Sequence, residues 1–106
     1  MPRYLIEGSY TDEGTKGLLQ EGGSRRRDTV TKLIEGMGGS VEAFYYTFGN
    51  RDVIVIYSVP DESTALALSL AVNQSGKVRL TTHPLLTAED VDGAAKKTVG
   101  YRPPGA

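Results

Sequence analysis

The middle of the chain is apolar at nearly every position, whereas strands of a small antiparallel sheet usually alternate between apolar and polar residues. The stretch FYYTFGNRDVIVIYSVPD, residues 44–61, predicts two strands, 40–48 and 52–59, joined by a short hairpin connection. On the first of these strands the alternation places Phe44, Tyr46 and Phe48 on one face and Val41, Ala43 and Tyr45 on the other. Neither face is polar, so the pattern predicts that both faces of the hairpin are covered.

The apolar positions outside this hairpin predict two further strands and two main helices. Residues 3–10 form a first strand, and residues 77–83 form a last strand that ends at Pro84. The run ALALSLAV, residues 65–72, alternates like a strand, but alanine and leucine are good helix formers, so we predict a helix. An earlier helical stripe at the spacing i, i+3, i+4, i+7 consists of Val30, Leu33, Ile34 and Met37.

Capping residues predict where the helices begin. Thr11 is the expected N-cap of a short first helix, which the paired glycines at 22–23 interrupt, and Ser24 is expected to cap the piece that follows. Asp61 is the expected N-cap of the ALALSLAV helix. Residues 87–90 resemble a capping box for a last short helix that reaches about residue 98.

The element order βαββαβ predicts an α+β, ferredoxin-like fold with a four-stranded antiparallel sheet and both main helices on one face. We expect one domain over residues 1–98 and a flexible tail over residues 99–106. Because the helices cover one face of the sheet only, a second copy of the chain is the predicted cover for the other face. The alternative is that the C-terminal segment folds over its own sheet.

Composition narrows the possible partners. The 12 basic and 13 acidic residues give a net charge of −1, which argues against nucleic acid as the main partner. No apolar run is long enough to span a membrane, so no membrane partner and a cytoplasmic location are expected. A chain with no cysteine and one histidine is a poor transition-metal site, and no glycine-rich nucleotide motif is present, so we expect neither a metal nor a cofactor.

An ordered series of short motifs resembles the GYD domain family, and the resemblance covers about residues 3–83. The matching segments are YTDEG (10–14), Arg26-Arg27, Gly38-Gly39, FYYTFG-x-x-D (44–52), VPD (59–61) and SGKVRLTT (75–82). The family's Gly-x-Tyr-Asp motif falls on residues 49–52, where Arg51 replaces the tyrosine. The resemblance implies a dimeric α/β-barrel (ferredoxin-like) protein. Relatives in that superfamily include cofactor-free monooxygenases, polyketide cyclases and haem-degrading proteins.

Two residues are candidates for catalysis. His83 is the only histidine and has the side chain best suited to proton transfer near neutrality, but an inert, partly exposed residue at a strand end is the favoured interpretation. Asp52 could act as a carboxylate base, or it could simply fix the geometry of the hairpin turn.

Four residues are candidates for ligand binding. The hydroxyls of Tyr10, Tyr46 and Tyr57 could face a ligand from within an apolar pocket, or the tyrosines could be ordinary packing residues. Arg27, in the run Arg25–Arg27, could bind an anion near a helix start, or it could belong to a solvated basic patch. These residues predict a homodimer, or a higher homo-oligomer, that binds a small apolar or aromatic ligand or acts as an interaction module. The alternative is a cofactor-independent enzyme of the monooxygenase or cyclase type.

Overall fold

The computed structural model describes all 106 residues, which form four strands and four helices. The elements in chain order are β1 (Arg3–Tyr10), α1 (Asp12–Glu21), α2 (Gly23–Gly36), β2 (Ser40–Tyr46), β3 (Val53–Ser58), α3 (Glu62–Gln74), β4 (Val78–Leu85) and α4 (Ala88–Ala95). The strands make one antiparallel sheet in the order β2-β3-β1-β4. The predicted α+β, ferredoxin-like fold is therefore confirmed.

The predicted caps are confirmed at three of the four helix starts. Thr11 Oγ1 accepts a hydrogen bond from the Gly14 N–H at 3.2 Å, and Asp61 Oδ1 accepts one from the Thr64 N–H at 2.9 Å. Thr87 forms the predicted capping box, with Asp90 as its partner. The prediction for Ser24 is wrong, because α2 begins at Gly23, so that Ser24 lies within the helix, and no side chain caps it. The chain turns there at Gly22, whose φ of +90° is a conformation that glycine adopts without strain.

The ends of the strands differ from the predicted ones. Strand β2 stops at Tyr46, one residue before the last bond of the hairpin, in which the Thr47 N–H donates to the Asp52 carbonyl at 2.8 Å, and Phe48 beyond it is 96% exposed. Strand β4 runs through Pro84 to Leu85 instead of ending at the proline. Proline is tolerated there because β4 is an edge strand, where an N–H facing away from the sheet is not needed.

The hydrophobic core lies between the sheet and the helices α2 and α3. The ALALSLAV run is helical as predicted, and it buries Ala65 and Leu68. Ile34 of α2 is fully buried, so the predicted apolar stripe does face the core. The sheet contributes Tyr4, Ile6, Val53, Val55, Tyr57 and the adjoining Val59. The middle of β1 and the whole of β3 thus present alternate residues to the helices.

A β-bulge changes which side chains of β2 share a face. The pairing with β3 shifts between Val41 and Ala43, so Glu42 is an extra residue in β2. Val41 therefore packs against the core together with Phe44, while Tyr45 points to the opposite side and is 69% exposed. The prediction that Val41 shares a face with Ala43 and Tyr45 is wrong for this reason.

The face of the sheet that points away from the helices, which we call the open face, is apolar in its centre. Register places its central side chains next to one another across β2, β3 and β1: Ala43, Tyr45, Ile54, Ile56 and Leu5. Ion pairs flank this patch, Arg3–Glu42 at 3.2 Å and Arg51–Glu7 at 3.3 Å. The C-terminal segment does not fold over this face, because every residue from 86 to 106 is exposed.

Candidate functional site

A groove of about 710 Å³ opens on the helical side of the molecule, between α1, α2 and α3 and above the ends of β1 and β4. Its apolar walls include Leu18, Leu33, Met37, Leu68, Ala71 and Val72. A smaller recess of about 60 Å³ shares part of this lining and reaches down to the sheet side chains of the core. The groove thus combines an open mouth with an apolar floor.

Two glycines position α1 so that a groove remains open between the helices. Gly14 lets α1 lie directly against the start of β4, since a Cβ atom on it would stand 1.9 Å from the Lys77 carbonyl oxygen. That same carbonyl accepts the Thr11 N–H at 2.9 Å, which fixes α1 at one end of the groove. The break at Gly22 then separates α1 from α2 and sets the width of the groove between them.

A polar cluster formed by Tyr10, Glu21, Arg26 and Tyr46 lies at one end of the groove. The Tyr46 hydroxyl donates to the Gly23 carbonyl at 2.9 Å. Arg26 Nη1 lies 3.9 Å from Glu21 Oε1, which is a loose ion pair. That carboxylate oxygen is excluded from solvent and accepts no hydrogen bond. The cluster therefore holds a guanidinium, two phenols and an acceptor atom whose bonding capacity is unused.

The tyrosines of the cluster remain protonated far above neutral pH. Burial, and then the neighbouring Tyr46, raises the pKa of Tyr10 to about 12, although the Arg26 charge acts in the opposite direction. Burial likewise raises the pKa of Tyr46. Near neutrality both hydroxyls are thus hydrogen-bonding groups and are poorly suited to act as bases.

The raised pKa of Tyr10 predicts a loss of stability at alkaline pH. Both folded and unfolded chains keep this phenol protonated well below pH 10, but the unfolded chain ionises first, so the free energy of unfolding falls from about pH 10 and levels off near pH 12. Urea unfolding across this range should show a smaller fall for Tyr10→Phe than for the wild type. Parallel curves for the two proteins would contradict the assignment. Tyr57→Phe should also reduce the fall, because burial raises the pKa of Tyr57 to about 12.

The structure brings some of the predicted ligand-binding residues together and separates others. Tyr10 lines the groove, and Tyr46 belongs to the same polar cluster. Tyr57 lies in the core with 0% exposure and does not line the groove; its hydroxyl has no hydrogen-bond partner. Arg27 faces solvent and pairs with Asp28 at 3.2 Å. Arg26 occupies the groove in its place.

The two candidate bases lie apart from each other, and neither lines the groove. Asp52 Oδ2 accepts the Tyr10 N–H at 2.8 Å, and the Asp52 N–H donates to the Gly8 carbonyl at 2.8 Å. These two hydrogen bonds tie the end of the hairpin to β1, which agrees with the second interpretation of Asp52, a role in fixing the hairpin. His83 lies on the open face, with its Nε2 atom 3.4 Å from Glu7 Oε1. No group of three or more His, Cys, Asp or Glu side chains could hold a metal ion.

Sequence reasoning missed Glu21, and from the run Arg25–Arg27 it selected Arg27, whereas the structure places Arg26 in the groove. Spacing does not separate these two arginines, because Arg26 precedes Val30 by four residues and Arg27 precedes it by three, so both continue the apolar stripe of α2. Glu21 carried no sequence signal, since its position depends on the turn at Gly22. None of the helices is both long and apolar enough to cross a membrane.

Comparison with known proteins identifies the fold family. The GYD domain family model matches residues 4–95, which is most of the chain. No curated protein and no solved structure matches the chain significantly.

Proposed function

The chain belongs to the GYD domain family, and we propose that it binds a small molecule with an apolar or aromatic body and a polar end that accepts hydrogen bonds. The binding site is the groove between α1, α2 and α3. The observation that carries the proposal is the polar cluster of Tyr10, Glu21, Arg26 and Tyr46 at one end of an otherwise apolar groove.

The apolar walls support a ligand body of this kind. Leu33 is 47% exposed and lies at the groove beside the buried Leu68, so the groove keeps apolar surface in water. Each Å² of such surface that a ligand covers contributes about 25 cal/mol. Typical small-molecule sites have volumes of roughly 300–1,000 Å³, with mostly apolar walls and a few polar groups. A groove of about 710 Å³ lies in this range.

The polar cluster supports a hydrogen-bond acceptor, such as a carboxylate or a sulfonate, at the end of the ligand. The guanidinium of Arg26 makes only a loose ion pair with Glu21, since Nη1 and Oε1 are 3.9 Å apart. The charged residues of the lining are Arg26, Lys77 and Glu21, which give it a formal net charge of +1. A charge-assisted hydrogen bond from arginine to an anionic oxygen is roughly twice as strong as a neutral one.

The protein also acts as a homodimer in this proposal, with a second copy covering the open face. Five apolar side chains lie there, and burying a large one contributes about 1.5–3 kcal/mol. Contiguous apolar patches on soluble proteins usually mark interfaces. An interaction module that uses this face alone would leave the groove without a role.

A monooxygenase or cyclase-like activity would need a general base beside the ligand. Asp52 and His83 lie outside the groove, and both phenols of the polar cluster have a raised pKa. Glu21 is the one carboxylate in the lining and so the one candidate base there, with Arg26 as its ion-pair partner. Binding engages the apolar walls as well as the polar cluster and is the function that these residues support best.

Fluorescence titration with anilinonaphthalene sulfonate tests the binding site, because this probe combines an aromatic body with an anionic end. We expect saturable binding to the wild type and about tenfold weaker binding to Arg26→Gln, since one charge-assisted hydrogen bond is lost. Arg27→Gln is the matched control: it removes the same charge one residue away on the exposed side of α2 and should bind as the wild type does.

The two variants should unfold at the same urea concentration, which excludes a folding defect as the cause. Equal binding by both variants, or an equal loss in both, would contradict the groove as the site. Native mass spectrometry of freshly purified protein should in addition reveal a retained small molecule.

A further inference from the structure

The last 21 residues, 86–106, extend away from the domain, and we call them the C-terminal arm. Every one of them is exposed, and no residue of α4 is buried. The radius of gyration is 17.0 Å and the longest dimension is 55 Å. A compact domain of this length has a radius of gyration of about 13 Å. The arm therefore lies outside the compact body.

Helix α4 is well formed although nothing packs on it. It has eight residues and a complete capping box at Thr87 and Asp90. Isolated helices shorter than about 12 residues are marginal in water, because nucleation is unfavourable. In globular proteins most helical stability comes from packing an apolar face. A helix this short thus needs a surface to pack against.

The arm has an apolar side that is suited to packing. Ala88, Val91 and Ala95 follow the i, i+3, i+7 spacing of one helix face. Further apolar side chains lie before and after the helix, and all are more than half exposed: Leu86, Val99 and Tyr101. Four large apolar residues in one short segment, counting Val91, leave an extended apolar surface in water.

We propose that the C-terminal arm packs against a second copy of this chain, at the border of that copy's open face. The inference rests on the proposed homodimer. The arm leaves the sheet from β4, which is an edge strand, so it begins at the margin of the surface that the second copy covers. The connection from β4 to α4 is only two residues, Leu86 and Thr87, and it carries α4 away from its own sheet.

Charge also favours this surface as the docking site. The first turns of α4 carry Glu89, Asp90 and Asp92, with no basic residue in the helix. The β4 side of the open face carries Arg79, which pairs in register with Ser9 of β1 and forms no ion pair within the subunit. Opposite charges across an interface favour association and fix its register. The acidic first turns of α4 and the Arg79 guanidinium are therefore complementary.

Paramagnetic relaxation between chains tests the proposal directly. The chain has no cysteine, so Gly93→Cys alone directs a nitroxide label to α4. A side chain at Gly93 would meet no atom within 4 Å, so the substitution should not disturb the fold. Labelled chains are unfolded together with isotope-labelled wild-type chains and refolded, so that mixed dimers form.

We expect broadening of amide signals at the open-face margin of the isotope-labelled chain, around Arg79 and Thr81. A nitroxide at Lys32→Cys, on the opposite side of the domain from the open face, is the matched control and should cause no such broadening between chains. Broadening only when label and isotope are in the same chain means that the arm folds back, and it would overturn the inference. Broadening nowhere beyond the arm means a free arm and would overturn it as well.

Sedimentation equilibrium on the same samples separates this inference from the proposed dimer. A monomer at all concentrations would remove the homodimer and the docked arm together. A dimer without broadening between chains would leave the homodimer in place and remove the docked arm alone. Dye binding in the groove is independent of both outcomes.

Discussion

Gly14→Ala is expected to lower the free energy of unfolding by about 3 kcal/mol, because there is no room for even one methyl group. The new Cβ would lie 1.9 Å from the Lys77 carbonyl oxygen, a backbone atom that cannot rotate away. Since that oxygen accepts the Thr11 N–H, α1 would have to move off β4 and release this hydrogen bond. Urea unfolding followed by circular dichroism measures the loss.

Gly17→Ala is the matched control for this effect. It places the same methyl group on the same helix, three residues further on, where no atom lies within 4 Å. Alanine is a better helix former than glycine, so this variant should gain about 0.5–1 kcal/mol. Because the two changes are chemically identical, opposite signs isolate the close approach of α1 to β4. Equal effects of the two substitutions would show that helix propensity, and not this contact, decides the result.

Ile56→Glu is expected to weaken the proposed dimer by on the order of a hundredfold or more, because each of the two copies would bury a carboxylate. Ile56 lies in the centre of the open face, between Ala43 and Leu5 on the neighbouring strands. The subunit itself should remain folded, since this side chain points away from the core. Sedimentation equilibrium over micromolar concentrations gives the dissociation constants of wild type and variant.

Two controls accompany this variant. Leu66→Glu adds the same charge at an exposed position of α3 and should leave the dimer intact. Val55→Glu changes the adjacent residue of β3, which points into the core and is 3% exposed, and should unfold the chain. A wild type that sediments as a monomer, or an Ile56→Glu variant that pairs as tightly as the wild type, would exclude the open face as the interface.

The element order was predictable because each element carries a local signal. Thr11, Asp61 and Thr87 mark helix starts through bonds to residues three positions away, which a reader of the sequence can locate. The helical character of ALALSLAV followed from its composition although its alternation favoured a strand. Local signals were not sufficient everywhere, since Ser24 does not cap α2 and β4 continues through Pro84.

The faces of the hairpin were not predictable, because the bulge at Glu42 depends on how β2 meets β3. One extra residue in a strand moves the side chains that precede it to the other face of the sheet. Val41 therefore points to the core, whereas strict alternation places it on the open face. None of the residue types at positions 41–43 indicates a β-bulge. The same limit applied to Phe48, which has a strand-like sequence but lies beyond the end of β2.

The candidate site was predictable only in part. An inward-facing arginine was within reach of sequence reasoning, since both Arg26 and Arg27 lie at the spacing of the stripe that includes Val30. Which of the two enters the groove was not, because it depends on how α2 packs. The groove itself was not, because it requires α1 to lie on β4, and the residues in contact there, Gly14 and Lys77, are far apart in the chain. A glycine in a helix does not reveal which backbone atom approaches it.

The hydrogen bond from the Tyr10 N–H to Asp52 has a consequence for the family motif. It joins residues 42 positions apart, so the acid at the end of the Gly-x-Tyr-Asp segment holds the main chain of a residue that lines the groove. The Asp52 carboxylate thus holds the main chain of Tyr10 in place, although Asp52 itself does not line the groove. In this chain the last residue of the motif supports the groove through the Tyr10 main chain, and it does so with Arg51 at the position of the motif tyrosine.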